Sequence, residues 1–231
     1  GIDTASFDPK TDRAIFANYS AADMSGKKLC KTHLQALCGI PERDIPLIAM
    51  VTRLAQDKGI DLVQRVLYDL LSGEDVQFVL LGTGEWKYEA FFRQVSKDFS
   101  EKTGIFIDFN TDLARQIYAG ADLFLMPSAT EACGLAQMIA MRYGTLPLVR
   151  ETGGLADTVC PYNQYTGSGN GFSFANYNAH ELYEACWRAK EGYWNKEGWP
   201  VLVKRAMECD FSWSASAKQY VEMYQQVCQL W

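Results

Sequence analysis

Three short stretches of this 231-residue chain hold side chains whose types and spacing could do chemistry. The first, Thr52-Arg53-Leu54-Ala55-Gln56-Asp57-Lys58-Gly59, sets a guanidinium and an ammonium close together just before a stretch with helical spacing. That pair suits a diphosphate: guanidinium makes paired hydrogen bonds to phosphate oxygens, lysine adds a mobile point charge, and a helix start adds partial positive charge. Two solvated surface cations would have the same spacing. The second stretch, Gly82-Thr83-Gly84-Glu85, would let a backbone approach a ligand closely at Gly82 and Gly84, and equally reads as a tight turn with no ligand. It is not the Gly-x-Gly-x-x-Gly dinucleotide fingerprint, because position 87 is Lys, and no Gly-x-x-x-x-Gly-Lys-Ser/Thr phosphate loop occurs.

The third stretch, 127–135, contains Glu131 immediately ahead of an expected helix whose first amides come from Gly134 and Leu135. Free amides at a helix start favour an anion, and a carboxylate just ahead could accept from the hydroxyls of a neutral group attached to that anion. A sugar diphosphate has both parts. The alternative is that Glu131 caps the helix and is stabilised by its dipole. Cys133 as a nucleophile would need an imidazole base, and His33 and His180 both lie away from any strand end. No Asp-x-Asp pair stands at a strand end, so no metal is expected, and the charge of a leaving diphosphate falls to Arg53, Lys58 and helix amides.

These stretches need a frame that brings them to one edge. Residues 46–54 (PLIAMVTRL) read as a buried strand, followed by a helix from 61 with apolar residues at helical spacing and Gly73 as its cap. The alternation repeats with a strand at 76–81 and a helix at 86–99, a strand at 105–109 and a helix capped by Thr111, then a strand at 121–126. A helix at 134–143, a strand at 146–149, a short helix at 154–159, a turn-rich loop at 161–171 and a last strand at 171–174 follow. Helices close the chain at 179–190, 199–208 and 214–230. Strands alternating with helices call for a doubly wound, Rossmann-like parallel α/β sheet, which binds ligands beyond the carboxyl ends of its strands. All three stretches fall there.

Composition agrees with a globular protein: 48% of residues are hydrophobic, enough for a sizeable core. A net charge of -6 argues against nucleic acid or an anionic membrane surface as partner. No apolar run reaches the roughly 18 residues of a membrane span, and residues 1–10 lack signal-peptide order, so a soluble protein is expected. Seven scattered cysteines without a Cys-x-x-Cys pair fit neither a disulfide framework nor a zinc site and read as reduced cytosolic thiols.

The ordered motifs are similar to those of a known family. Gly1-Ile2-Asp3, Thr52-Arg53-Leu54 with Lys58-Gly59, Leu81-Gly82-Thr83-Gly84, Ile117-Tyr118-Ala119-Gly120-Ala121-Asp122, Met126-Pro127-Ser128 and Glu131-x-Cys133-Gly134-Leu135 follow one another. So do Arg142-Tyr143-Gly144-Thr145-Leu146-Pro147, 152–159 (TGGLADTV) and Asp210-Phe211-Ser212-Trp213. Over essentially its whole length the chain resembles the C-terminal half of bacterial glycogen synthases and plant starch synthases, glucosyltransferases of the GT-B fold. The resemblance implies that Arg53 and Lys58 contact the diphosphate of ADP-glucose, that Glu131 holds the glucose hydroxyls, that the Gly134 and Leu135 amides bind the distal phosphate beside Cys133, and that Tyr118 lies near the adenine. It implies transfer of glucose, with retention, to the end of an α-1,4-glucan without a cofactor, in the cytoplasm or, for a plant chain, the plastid.

The chain departs from that family at its decisive loop. Ala129 and Thr130 replace a basic residue and an aromatic or Leu, Ala132 replaces Pro, and Ala136 replaces a small hydroxyl residue. A divergent or non-catalytic nucleotide- or glucan-binding module, or a GT-B enzyme of UDP-sugars, is the alternative reading. The resemblance also implies that residues 1–231 are one nucleotide-sugar-binding domain, that an N-terminal domain with the acceptor surface completes the cleft, and that the segment 211–231 crosses onto it.

Overall fold

Apolar and β-branched residues in an unbroken run suit a strand that is covered on both faces, and Leu47–Val51 forms such a strand, β1. In the computed structural model, which describes residues 1–229, it is joined by β2 (Gln77–Leu81), β3 (Thr103–Phe106), β4 (Leu123–Met126), β5 (Leu146–Arg150) and β6 (Phe172–Phe174). All pair in parallel, in the order β3-β2-β1-β4-β5-β6. The chain therefore builds outward from β1 to one edge, returns across the sheet, and builds outward again from β4. The carboxyl ends of β1 and β4, where the direction reverses, splay apart into a crevice.

Nine helices accompany the sheet among the described residues: α1 (Ser25–Cys38), α2 (Ile60–Gly73), α3 (Trp86–Asp98), α4 (Thr111–Gly120), α5 (Ala136–Arg142), α6 (Gly154–Thr158), α7 (Ala179–Trp194), α8 (Gly198–Glu208) and α9 (Trp213–Gln229). Of these, α2 packs on α3 and α7, while α1 packs on α4, and α5 on α4 and α8. Right-handed crossovers running in opposite directions from β1 and β4 put these two groups on opposite faces. The core includes Leu47, Ile48, Phe78, Phe92, Phe124 and Tyr143, all buried.

The expected alternation is present, with shifted boundaries. The third strand ends at Phe106 rather than 109, and Asn110, not Thr111, caps α4 by accepting from the Leu113 amide at 2.9 Å. Gly73 is the last residue of α2 rather than its cap, and α5 starts at Ala136, two residues later than expected. The helix α1 had no counterpart in the sequence reading. The last helix stands exposed, with Trp213, Tyr220, Val221, Tyr224 and Val227 in solvent. Leu230 of the expected helix 214–230, with Trp231, lies outside the described residues. No described helix is long and apolar enough to cross a membrane.

The segment before α1 is anchored by one buried carboxylate. Asp12 accepts from the Tyr143 hydroxyl, from Arg115 at 3.0 Å and from the Ala14 amide at 2.9 Å. Burial alone would raise its pKa, but these donors outweigh it and hold the carboxyl below its ordinary 3.8. Such a group stabilises the fold above its unfolded value and loses that contribution as pH falls through the folded one. Asp12→Asn is expected to cost about 1–3 kcal/mol at neutral pH, and the gap between variant and parent should close as the pH is taken below 3.8; urea unfolding at a series of pH values measures both.

Candidate functional site

The strand reversal places the first and third chemical stretches face to face. The turn after β1 is a single 3₁₀ turn, Gln56–Lys58, ended by Gly59 in the left-handed conformation (φ 72°). Its Lys58 reaches across the crevice to Glu131, on the loop after β4, at 2.6 Å. The Ser128 hydroxyl also points at this carboxylate, at 3.5 Å. Lys58, Ser128, Glu131, Gly134 and Leu135 line one cavity of about 210 Å³ on the β1 and β4 ends. The Gly134 and Leu135 amides donate to no protein acceptor among the described residues.

A second cavity, about 460 Å³, lies on the other side of the β1 end and shares Val51 and Thr52 with the first. It is lined by Arg53, Gly82, Thr83, Asp108, Phe109 and Asn110. Arg53 is two-thirds exposed and pairs with Asp57 at 3.1 Å. The two cations thus sit on adjoining cavities, each held by a carboxylate. An exposed pair such as Arg53–Asp57 is worth no more than about 1 kcal/mol, so an incoming anion can exchange with Asp57 at little cost.

Backbone contacts hold the Glu131 loop. A side chain on Gly59 would put its Cβ 2.0 Å from the Pro127 carbonyl, and one on Gly153 would meet the Glu131 carbonyl at 2.0 Å. Gly153 also has φ 45° and ψ -132°, a region that only glycine occupies readily. Arg150, at the end of β5, donates to the carbonyls of Ser128 at 2.9 Å and Ala129 at 2.6 Å. It lies over the Tyr177 ring, whose hydroxyl bonds Asp61 on α2. From beneath, the buried Gln137 amide donates to the carbonyls of Cys133 at 3.1 Å and Gly134 at 2.9 Å and to the Thr158 hydroxyl at 3.1 Å. Its own oxygen has no partner. This lattice fixes the loop although Ala132 lacks a proline's rigidity.

The structure brings Arg53, Lys58, Gly82, Glu131, Gly134 and Leu135 to the crevice. Glu131 does not cap α5, since that helix begins five residues later with Leu135 at the cap position. Gly84 serves the frame: it pairs with Leu54, whose carbonyl would lie 2.1 Å from a Cβ, and lines neither cavity. Cys133 is exposed and lines neither cavity, nor does either histidine. His33, on α1, is stacked on Phe16. No group of three His, Cys, Asp or Glu side chains that could hold a metal ion occurs among the described residues.

Tyr118 requires a correction. Near the C-terminal end of α4 it is buried against Phe124 and Tyr143, with its phenol pushed up by burial. That helix starts at the crevice edge and runs away from it, so its eighth residue lies about 10 Å down the sheet at 1.5 Å per residue. The aromatic ring at the crevice is instead Phe109, 85% exposed beside Arg53, Gly82 and Thr83. The sequence reading placed it inside a strand. The Asn110 cap was the signal that the strand had already ended.

Against known proteins, a model of the glycosyl transferases group 1 matches residues 40–197. The glycogen synthase of Geobacillus thermodenitrificans is 51% identical over 228 residues, covering 98% of this chain and 47% of that protein. That of Bacillus subtilis is 50% identical over the same length and share. The catalytic domain of starch synthase IV from Arabidopsis thaliana, solved with ADP and acarbose, superposes with a TM-score of 0.89 at 38% identity, over 98% of this chain and 48% of that one. The C-terminal domain of a group 1 glycosyl transferase (LpcC) from Francisella tularensis shares the fold at 15% identity and TM-score 0.64, over 90% of this chain and 95% of that one. The chain spans about half the length of the curated relatives it matches.

If the loops press on each other as the geometry requires, Gly153→Ala should cost clearly more than Gly167→Ala. Both glycines have positive φ, but a Cβ at 167 meets nothing within 4 Å. The control should lose about 1–2 kcal/mol from backbone conformation alone, and Gly153→Ala at least about 2 kcal/mol more from overpacking. Equal losses in chemical unfolding would show that the Glu131 loop does not rest on Gly153.

Proposed function

This chain belongs to the group 1 glycosyl transferases, and we propose that it is the ADP-glucose-binding half of a retaining glucosyltransferase that elongates α-1,4-glucan chains. Its fold is that of the C-terminal, Rossmann-like half of a GT-B enzyme, and it is a glycogen/starch-synthase-like domain. The observation that carries the finer reading is the Lys58–Glu131 pair at the strand reversal, flanked by Arg53 and two free amides. A sugar diphosphate supplies a partner for each group. Its phosphates take Lys58 and Arg53 from their carboxylates, and the freed Glu131 accepts from glucose hydroxyls. The Gly134 and Leu135 amides receive the distal phosphate, beside Cys133. The neighbouring cavity holds the nucleoside, with Phe109 offering a ring face to the base and Gly82, whose missing side chain makes room for the Thr52 carbonyl, in its wall.

In this reading the enzyme works chiefly on the leaving group. As the bond from the anomeric carbon to the diphosphate breaks, negative charge grows on the phosphate oxygens. Arg53 and Lys58 stabilise it more strongly in the transition state than in the bound donor, so no metal ion is required. The acceptor hydroxyl enters on the same face as the departing diphosphate, which takes up its proton. Glu131 remains near the cationic sugar. The acceptor surface and the other wall of the cleft come from an N-terminal domain, which matches the share of the relatives' length that this chain leaves uncovered. In this reading the chain forms one domain, and α9, whose apolar side chains are exposed, crosses onto that N-terminal domain.

Calorimetric titration with ADP and UDP tests the reading. ADP should bind this chain, with Arg53→Ala and Lys58→Ala each weakening it about tenfold or more, the loss of one charged hydrogen bond at roughly 1.5–3 kcal/mol. Phe109→Ala should weaken it by about three- to tenfold. ADP affinity unchanged in Arg53→Ala and Phe109→Ala would overturn the placement of the donor. With an N-terminal half supplied, the protein should transfer glucose from ADP-glucose to glycogen. Binding without transfer would leave a nucleotide-binding module, and preference for UDP-glucose would move the chain to the UDP-sugar enzymes.

A further inference from the structure

On the edge strand, away from the crevice, the loop between α6 and β6 and the outer face of α7 enclose a groove of about 740 Å³. This falls within the roughly 300–1,000 Å³ of small-ligand sites. Its walls are aromatic. Tyr165 at the loop tip is 89% exposed, Trp187 on α7 is 44% exposed, and Tyr162 packs edge-on against the buried Phe172 in the floor. Gly192, one turn beyond Trp187, leaves that floor open, since a Cβ there would sit 3.1 Å from the Phe172 ring. The tip is held from within. The Asn163 side chain accepts from the Tyr165 and Thr166 amides at 2.9 and 3.2 Å, and Arg205 clamps the carbonyls of Gly167 and Gly169. Tyr165 is thus presented to solvent by an ordered loop that has no need of its ring.

The polar groups of the groove narrow the ligand. Arg188 and Glu191 bring opposite charges, and Gln164 adds an amide with both a donor and an acceptor. A phosphate or nucleic acid would call for an excess of cations, and a purely apolar ligand for none of these groups. A neutral polyol with apolar C–H faces and equatorial hydroxyls meets all of them, its faces on the rings and its hydroxyls on the polar groups. We propose that this groove is a second α-glucan-binding site, which takes internal glucosyl residues of the polymer far from the donor crevice. The proposal rests on the reading above that the acceptor is a glucan, and it gives the chain a way to hold the polymer while chain ends visit the crevice, raising their local concentration.

The test uses this chain directly. Its migration in native gels containing glycogen, and titration with maltoheptaose, are compared for the parent, Tyr165→Ala and Trp187→Ala, with cellohexaose as the β-linked control and ADP titrated in parallel. The parent should be retarded by glycogen and bind maltoheptaose over cellohexaose. Each alanine variant should bind maltoheptaose at least about fivefold more weakly, with ADP affinity unchanged, and Tyr165→Trp should retain binding. Tyr165 packs on nothing that the fold requires, so that variant remains informative even if Trp187→Ala unfolds. A parent that binds ADP but is not retarded by glycogen, or variants retarded as strongly as the parent, would overturn the groove and leave the donor site standing. Retardation lost in the variants of a chain that binds no nucleotide would uphold the groove and overturn the donor site.

Discussion

Main chain resting directly on main chain is the constraint on which the crevice depends. The Glu131 loop has no regular secondary structure of its own, yet it must hold a carboxylate within hydrogen-bonding distance of a lysine from a different βα unit. It does so because its carbonyls press on glycines of the neighbouring turns, at Gly59 and Gly153, with no side chain between. Arg150 and Gln137 then occupy the carbonyls that the loop cannot pair itself. The carbonyl of the buried Ser128 would otherwise lack a donor, a loss of about 1–3 kcal/mol. The same bonds thus satisfy the backbone and set the geometry. Substituting Ala for Pro at 132 is tolerable in this setting, because the loop is held from outside more than by its own stiffness.

The two ends of the sheet divide their tasks. At the amino end, buried charges are locked into the fold: Lys31 pairs with Asp122 at 2.6 Å, and the same carboxylate accepts from the Leu47 amide at 2.8 Å. Lys27 points among four oxygens with no carboxylate among them, and burial lowers it to about 8. These groups tie α1 to the starts of β1 and β4 and have no room to exchange partners. At the carboxyl end the Arg53–Asp57 pair is open to solvent, at 67% and 41% exposed, while Lys58–Glu131 is only somewhat less buried than Lys31–Asp122. A buried pair resists exchange because breaking it strands a charge in a poor solvent, whereas a half-exposed pair is rescued by water.

A polymer-elongating enzyme faces the problem that the reacting group is a small fraction of its substrate. On the proposed reading the crevice takes the donor, and the surface that would hold an acceptor lies mostly outside this chain. The proposed glucan groove on the far edge strand would then separate holding the polymer from reacting with it. Three groups of exposed apolar side chains lie in distinct places: the ring beside Arg53, the rings around Trp187, and the stripe along α9.

Much of this was legible without coordinates, for reasons that can be stated residue by residue. Unbroken apolar runs such as 47–51 and helical periodicity such as Val63, Val66, Leu67, Leu70 and Leu71 force alternating buried strands and amphipathic helices, and the right-handed crossover then leaves little choice of topology. The first helix escaped because its buried face is Gly26, Cys30, Lys31, Leu34 and Gln35. Its polar members are buried only because Asp122 and Gln77, far along the chain, supply partners. Phe109 and Tyr118 pose a related problem: one precedes α4 and the other lies near its end, and only the direction of that helix decides which ring meets the crevice. Local sequence thus determined the elements, their order and the residue types that reach a strand end, because periodicity and turn chemistry act over a few residues. Tertiary structure decided which strand ends lie side by side, which buried polar groups find partners, and which aromatic rings remain in solvent, because those outcomes depend on contacts between residues tens of positions apart.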